Sequence, residues 1–197
     1  MNRDVLRKIL FILLPIIAVA GLLIYFFASI SAGVVPADFT AARGQAAGVS
    51  QDIVNLTGDT ASKIEQIGKI QSSGTADQIL NLIDDARSTN KAAYDKAFDL
   101  SHDLQEMAGS LNDVRQPRQQ LGYEAVALEL SLVSEFISYT SSLNNFMDII
   151  SKAATNGNQY SQKAVDDAVK DINQKAVMIN TLNQNFIDKM AAFDKAS

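Results

Sequence analysis

Apolar residues recur along this chain in two rhythms. Residues 9–37 form an unbroken run of 29 positions without a charge, preceded by Arg3, Asp4, Arg7 and Lys8 and followed by Asp38. The dense part of the run, residues 9–28, reads ILFILLPIIAVAGLLIYFFA. At a rise of ~1.5 Å per residue these positions span ~30 Å, the hydrocarbon thickness of a bilayer. Beyond Asp38 the apolar positions fall three and four apart, the spacing of helices that bury one face.

Four such stripes follow one another. The first is Phe39, Ala42, Ala46, Val49, Ile53, Leu56, Thr60, Ile64 and Ile67, a heptad seam. Gly44, Gly48, Gly58 and Gly68 lie within this stretch, and each disfavours a helix by ~1 kcal/mol relative to Ala, which leaves it open to a break near Gly58. Ser72-Ser73-Gly74-Thr75 then stops one helix and starts the next: Gly74 suits the left-handed position after a helix, and Thr75 with Gln78 forms a capping box. The second stripe runs Ile79, Ile83, Ala86, Asn90, Ala93, Ala97, Leu100, Leu104, Met107, Leu111 and Val114, and Pro117 marks its end.

The third stripe has the widest apolar arc and should be the best buried: Leu121, Val126, Leu128, Leu132, Val133, Phe136, Tyr139, Leu143, Phe146 and Ile150. Glu124, Glu129 and Glu135 interrupt it, so it does not read as a second membrane span. Thr155-Asn156-Gly157-Asn158 supplies a Gly stop and an Asn cap, and the fourth stripe is Val165, Ala168, Ile172, Ala176, Ile179, Leu182, Phe186, Met190 and Phe193.

These patterns predict an all-α protein: a single N-terminal transmembrane helix followed by an antiparallel up-down four-helix bundle. The expected segments are a cytoplasmic basic N-terminus at 1–8, a transmembrane signal-anchor at 9–32, a linker at 33–37 and a bundle at 38–197. The bundle helices are expected at about 38–72, 75–114, 117–155 and 158–195. A coiled coil between chains is the alternative, but three turn signals favour closure within one chain. Small-x-small triplets at Ser29-Ile30-Ser31 and Ser31-Ala32-Gly33 leave a cleaved signal peptide as the alternative to an anchor, although the apolar run is longer than a signal needs.

Charge sets the expected orientation. Arg3, Arg7 and Lys8 precede the run, while Arg43 and Lys63 are the nearest basic residues after it, so the N-terminus is expected in the cytoplasm and the body outside it, in a prokaryotic envelope. Of the 17 basic and 22 acidic residues, those three and Asp4 precede the body, which keeps 14 basic and 21 acidic residues and a net charge of −7. An acidic body argues against nucleic acid as a partner and against flat adsorption on anionic lipid. The absence of Cys excludes disulfides, thiolate metal sites and Cys nucleophiles.

Candidate chemistry is sparse. The one His, His102, has no Glu-x-x-His context, so a di-iron site of the bundle type is excluded. Ser101-His102-Asp103 is no triad, because neighbours on a helix point about 100° apart. Asp84-Asp85 and Asp166-Asp167 lack the alternation of a calcium loop and read as solvated faces. No catalytic, cofactor-binding or metal-binding residue is assigned. Glu129 is the one charged residue inside an apolar arc, between Val133 and Phe136 on the wheel. It is either a buried carboxylate that binds a cation or titrates, or a boundary residue whose head reaches water or a Lys, the second being the expectation. Arg87, Arg115 and Arg118 are candidates for an anionic ligand or a partner, with Glu129 beside them as a possible contact.

In layout, an N-terminal anchor before a helical bundle is similar to the LemA family of bacterial envelope proteins. That family's Arg-x-Asp-x-Ile-Pro-Asn-Leu stretch has no counterpart in GVSQDIVNLTGDT, so no family is assigned. The expected function is a non-enzymatic interaction or scaffold module of the cell envelope, bound to the bilayer through residues 9–32 and to a protein partner or a second copy of itself. The alternative is a ligand-sensing bundle that signals through a partner.

Overall fold

The computed structural model describes residues 35–70, 74–155 and 161–196. Within them the chain forms four long helices and no strand: α1 (Ala37–Ile70), α2 (Ala76–Ser110), α3 (Arg118–Thr155) and α4 (Gln162–Lys195), with a 3-10 turn at Leu111–Asp113. Among the described residues no helix is long and apolar enough to cross a membrane. The expected span at 9–32 and the expected cap at Asn156 to Asn158 lie outside the described residues.

α2 and α4 start where a capping side chain supplies a hydrogen-bond partner to the first N–H groups. Thr75 caps α2 through the reciprocal box with Gln78: the Gln78 N–H donates to Thr75 Oγ1, and the Thr75 N–H to Gln78 Oε1. Ser161 Oγ accepts from the Ala164 N–H and caps α4. The Gln116–Pro117 bond is cis, and the Pro117 carbonyl accepts the Leu121 N–H at the start of α3. Gly74 does not take the left-handed conformation expected of it. A Cβ there would lie 2.9 Å from the Ile70 carbonyl oxygen, so close approach is what demands glycine.

α1 packs closely on α2, α2 on α3 and α3 on α4, whereas the backbones of α1 and α4 do not pack as closely. The order is that of an up-down bundle, and its core runs the full length from Phe39 and Phe193 at one end to Ile67 and Ile79 at the other. Ion pairs and hydrogen bonds between helices set the register. Glu124 on α3 meets Lys189 on α4 at 2.6 Å, and Ser142 donates to Asp171. Thr60 on α1 donates to Thr89 on α2 at 2.9 Å, and Asp52 faces Lys96 at 3.5 Å.

α1 is continuous through Gly58, where a break was open. Nothing lies within 4 Å of a Cβ placed at Gly44, Gly48 or Gly58, so these glycines serve no packing purpose. At Gly122 a Cβ would fall 2.5 Å from Leu111 Cδ2 and 3.1 Å from Phe193 Cε2. Gly58→Ala should therefore stabilise the bundle by ~0.5–1 kcal/mol through helix propensity. Gly122→Ala should destabilise it by ~1–3 kcal/mol through overpacking. Denaturant midpoints of the two variants, moving in opposite directions, check both; equal shifts of one sign would show that packing does not distinguish the sites.

Candidate functional site

The buried polar residues divide into two groups. One group is satisfied and ties helices together. Asn90 on α2 donates to the Thr140 carbonyl oxygen at 2.9 Å and to Asn144 Oδ1 at 3.0 Å, both on α3. Thr60 bridges α1 and α2, and Ser142 bridges α3 and α4. The other group holds polar atoms without a partner: Glu129 Oε2, the Tyr139 hydroxyl, both amide atoms of Asn183, and the Oδ1 atoms of Asn173 and Asn180. Buried polar atoms are nearly always paired, so a cluster of unpaired ones asks for an explanation.

Glu129 and Tyr139 line one cavity in the bundle interior, which offers about 50 Å³ to water-sized molecules. All four helices contribute to its wall: Ser50, Ile53 and Thr57 from α1, Leu100 from α2, Leu132 and Phe136 from α3, and Ile179 from α4, among others. The wall is apolar apart from the carboxyl and a few small polar groups. A volume of this size holds a few waters or one very small molecule, at ~10–15 Å³ for each water.

Glu129 is 3% exposed. Its Oε2 is buried without a partner, contrary to expectation, and among the described residues no basic group forms an ion pair with the carboxyl. The reason lies in α3, whose wide apolar arc turns fully inward and carries the carboxyl with it. Burial alone pushes the Glu129 carboxyl up to about 7. The Tyr139 hydroxyl, also buried, is raised above its ordinary value for the same reason. Ten residues separate Glu129 and Tyr139 on one helix, ~15 Å along the axis, so they are two separate polar points and not a proton-sharing pair.

Asn183 is a site residue that sequence reading passes over, because Asn on a four-residue step looks like any helix-surface Asn. It is fully buried, one turn from Ile179 on the cavity wall. The Glu124–Lys189 and Ser142–Asp171 pairs run antiparallel, so five residues on from Glu124 places Glu129 level with residue 184. Asn183 therefore sits at the level of Glu129 across the α3–α4 contact.

The three candidate arginines do not converge. Arg87 is neutralised on the α2–α3 surface by Asp148 and, at 3.4 Å, by Asp84. Arg115 is exposed in the turn between α2 and α3. Arg118 is buried: its Nε–H donates to the Phe193 carbonyl oxygen at 3.0 Å, an NH2 proton goes to the Asp194 carbonyl oxygen at 3.2 Å, and the guanidinium lies 5.3 Å from the Phe193 ring centre. It caps the C-terminus of α4, where a cation is favourable. Arg43 on α1 grips the Asp194 carboxylate with two bonds of 2.9 and 3.1 Å, and Phe39 stacks on Phe193 at 4.9 Å. Together these contacts clamp the start of α1 to the ends of α3 and α4.

Elsewhere the surface offers little to a ligand. His102 is exposed beside Glu106, and among the described residues no group of three His, Cys, Asp or Glu could hold a metal ion. Among the described residues the large exposed apolar side chains are Tyr123 on α3, whose hydroxyl donates to Asn112, and, more exposed, Phe98 at 53% on α2 and Val177 and Met178 at 61% and 50% on α4. α2 and α4 are diagonal in the bundle, so Phe98 does not join Val177 and Met178 in one patch. No family model matches the chain, and comparison with curated proteins and with solved structures finds no significant match either.

Proposed function

We propose that this chain is a single-pass, membrane-anchored bundle held outside the cytoplasm, acting without catalysis as a ligand-sensing interaction module of the cell envelope. The uncharged run at 9–32 and the basic residues before it support the tether. One observation favours sensing over a plain scaffold: Glu129, an unpaired carboxyl, is buried in an interior cavity lined by all four helices. A scaffold gains nothing from such a group, which destabilises the fold, whereas a small-molecule site needs an apolar wall with a few fixed polar points. The clamp of Arg43, Arg118 and Phe193 offers a route outward. It links the helix that follows the tether to α3 and α4, so a shift of α1 against α4 reaches the tether and any partner.

Thermal unfolding of the full-length protein, screened against a panel of small apolar metabolites, tests this reading. A ligand that binds only the native state at 100 times its Kd stabilises by ~2.7 kcal/mol. Ala176→Leu, which fills the cavity from α4, should abolish the shift. A panel without any shift would return the scaffold reading to first place.

A further inference from the structure

Resting on that reading, we propose that the cavity accepts a protonated primary amine on a short aliphatic tail, with the ammonium seated against Glu129 and the tail against the apolar wall. Three observations lead there.

The first is the balance of donors and acceptors. The unpartnered polar atoms on the cavity wall are Glu129 Oε2, an acceptor, and the Tyr139 hydroxyl farther along α3, while Thr57 already donates its proton to the Ile53 carbonyl oxygen and has only an acceptor left to offer. An ammonium brings three donors and no acceptor, which is the complement of that set. The second is charge. No residue facing Glu129 across the cavity can supply a positive charge. Ser50 and Thr57 from α1 are polar but do not titrate in this range, and Ala97, Leu100, Ala176 and Ile179 from α2 and α4 are apolar. On its own helix the other titratable wall residue is Tyr139, whose neutral form burial favours. Once ionised, a buried carboxylate is stabilised by a counter-charge with hydrogen bonds, and no residue of the cavity wall supplies one. The third is access. α1 and α4 lack the close backbone packing of the three consecutive helix pairs, and Ser50 and Thr57 lie on α1 at the cavity. Parting this seam enlarges a space that is small when closed, and the acidic body favours the approach of cations over anions.

The test compares n-butylamine with 1-butanol, which share a chain length and differ in charge. Binding to the full-length protein is measured by calorimetry at pH 8, where the carboxyl is ionised and the amine, whose pKa is close to the ~10.4 of Lys, is protonated. Butylamine is expected to bind the wild type roughly 30-fold or more tightly than Glu129→Gln, the loss typical of breaking a desolvated charge pair. Butanol is expected to bind the two proteins alike, which also reports that the variant is folded. Amine affinity should fall at pH 5, where the carboxyl is protonated. As an independent measurement on the wild type, butylamine should shift the Glu129 carboxyl titration, followed by NMR, to lower pH, and butanol should not. Equal binding of amine and alcohol, or amine binding that is indifferent to Glu129→Gln, overturns the amine assignment and leaves the ligand site standing. If neither compound binds the wild type, the amine assignment also falls, and the metabolite panel decides the broader reading separately.

Discussion

Glu129→Leu is expected to raise the stability of the bundle by about 4 kcal/mol at pH 8 and by ~1 kcal/mol at pH 4. In the unfolded chain the carboxyl ionises near its ordinary value of 4.5, while in the folded cavity burial holds it up to about 7. The folded pKa is the higher one, so the protonated form favours folding. Stability from this group is fully present below 4.5, declines as the pH rises toward 7, and is gone above it. One pH unit of such separation is worth ~1.4 kcal/mol, which gives the ~3 kcal/mol at stake. Leu has no proton to lose and fills a comparable volume, so the variant has no such slope. Replacing a buried, unpaired charged group by an apolar one commonly stabilises in this way. Urea unfolding of wild type and Glu129→Leu from pH 4 to pH 8 measures it. Parallel stability curves would show that Glu129 is solvated or paired in solution, and the cavity argument would lose its foundation.

Phe193→Ala is expected to destabilise the bundle by about 4–5 kcal/mol. The ring is fully buried in the last turn of α4. It stacks on Phe39 of α1 at 4.9 Å, lies beneath the Arg118 guanidinium of α3 at 5.3 Å, and packs against Gly122, where a Cβ would fall 3.1 Å from its Cε2. Truncation leaves a cavity at the point where α1, α3 and α4 meet and removes an aromatic pair worth ~0.5–1.5 kcal/mol beyond its area. The collapse that sometimes relieves such a cavity is blocked here, because Arg118 and Arg43 hold the neighbouring backbone and carboxylate in place. The denaturant midpoint should fall with little change in the slope. A loss below ~1 kcal/mol would mean that the end of α4 frays in solution and that the clamp does not transmit motion from the bundle to the tether.

Much of the fold was legible in the residues themselves. The capping box of Thr75 and Gln78 was readable and is present, because a cap is a local hydrogen-bond pattern that needs no distant partner. The inward face of α2 follows its stripe from Ile79 to Met107, and that of α4 follows its own from Val165 to Phe193 except that Asn183 is buried in place of the expected Leu182, since one arc of each helix is mainly apolar. α1 was different. Its heptad reading put Val49 and Leu56 in the core, yet Ser50 and Thr57 are buried there and the two larger residues pack at the margin. Positions 49 and 50, like 56 and 57, border the same arc. Which pair turns inward depends on where α2 and α4 lie, and no local pattern carries that information. The choice matters, because small side chains at 50 and 57 help to leave the cavity open.

The candidate site was legible only in part. Glu129 stood out as a charge within an apolar arc, but whether its head would escape to water depended on the depth of α3 in the bundle. Arg118 was noticed as a charge and turned out to be a cap for α4, a partner 75 residues away in the chain. Asn183 gave no signal at all, since its burial and its level with Glu129 arise from the α3–α4 register. By itself, then, the sequence determined the four helical stretches of the bundle, the Thr75 cap and most of the apolar faces, because these follow from backbone hydrogen bonding and from a period of 3.6 residues. Only the tertiary structure decided how far each helix is turned, how closely each pair approaches and which polar atoms are left unpaired. Those are properties of the space between helices, and no single stretch of chain contains them.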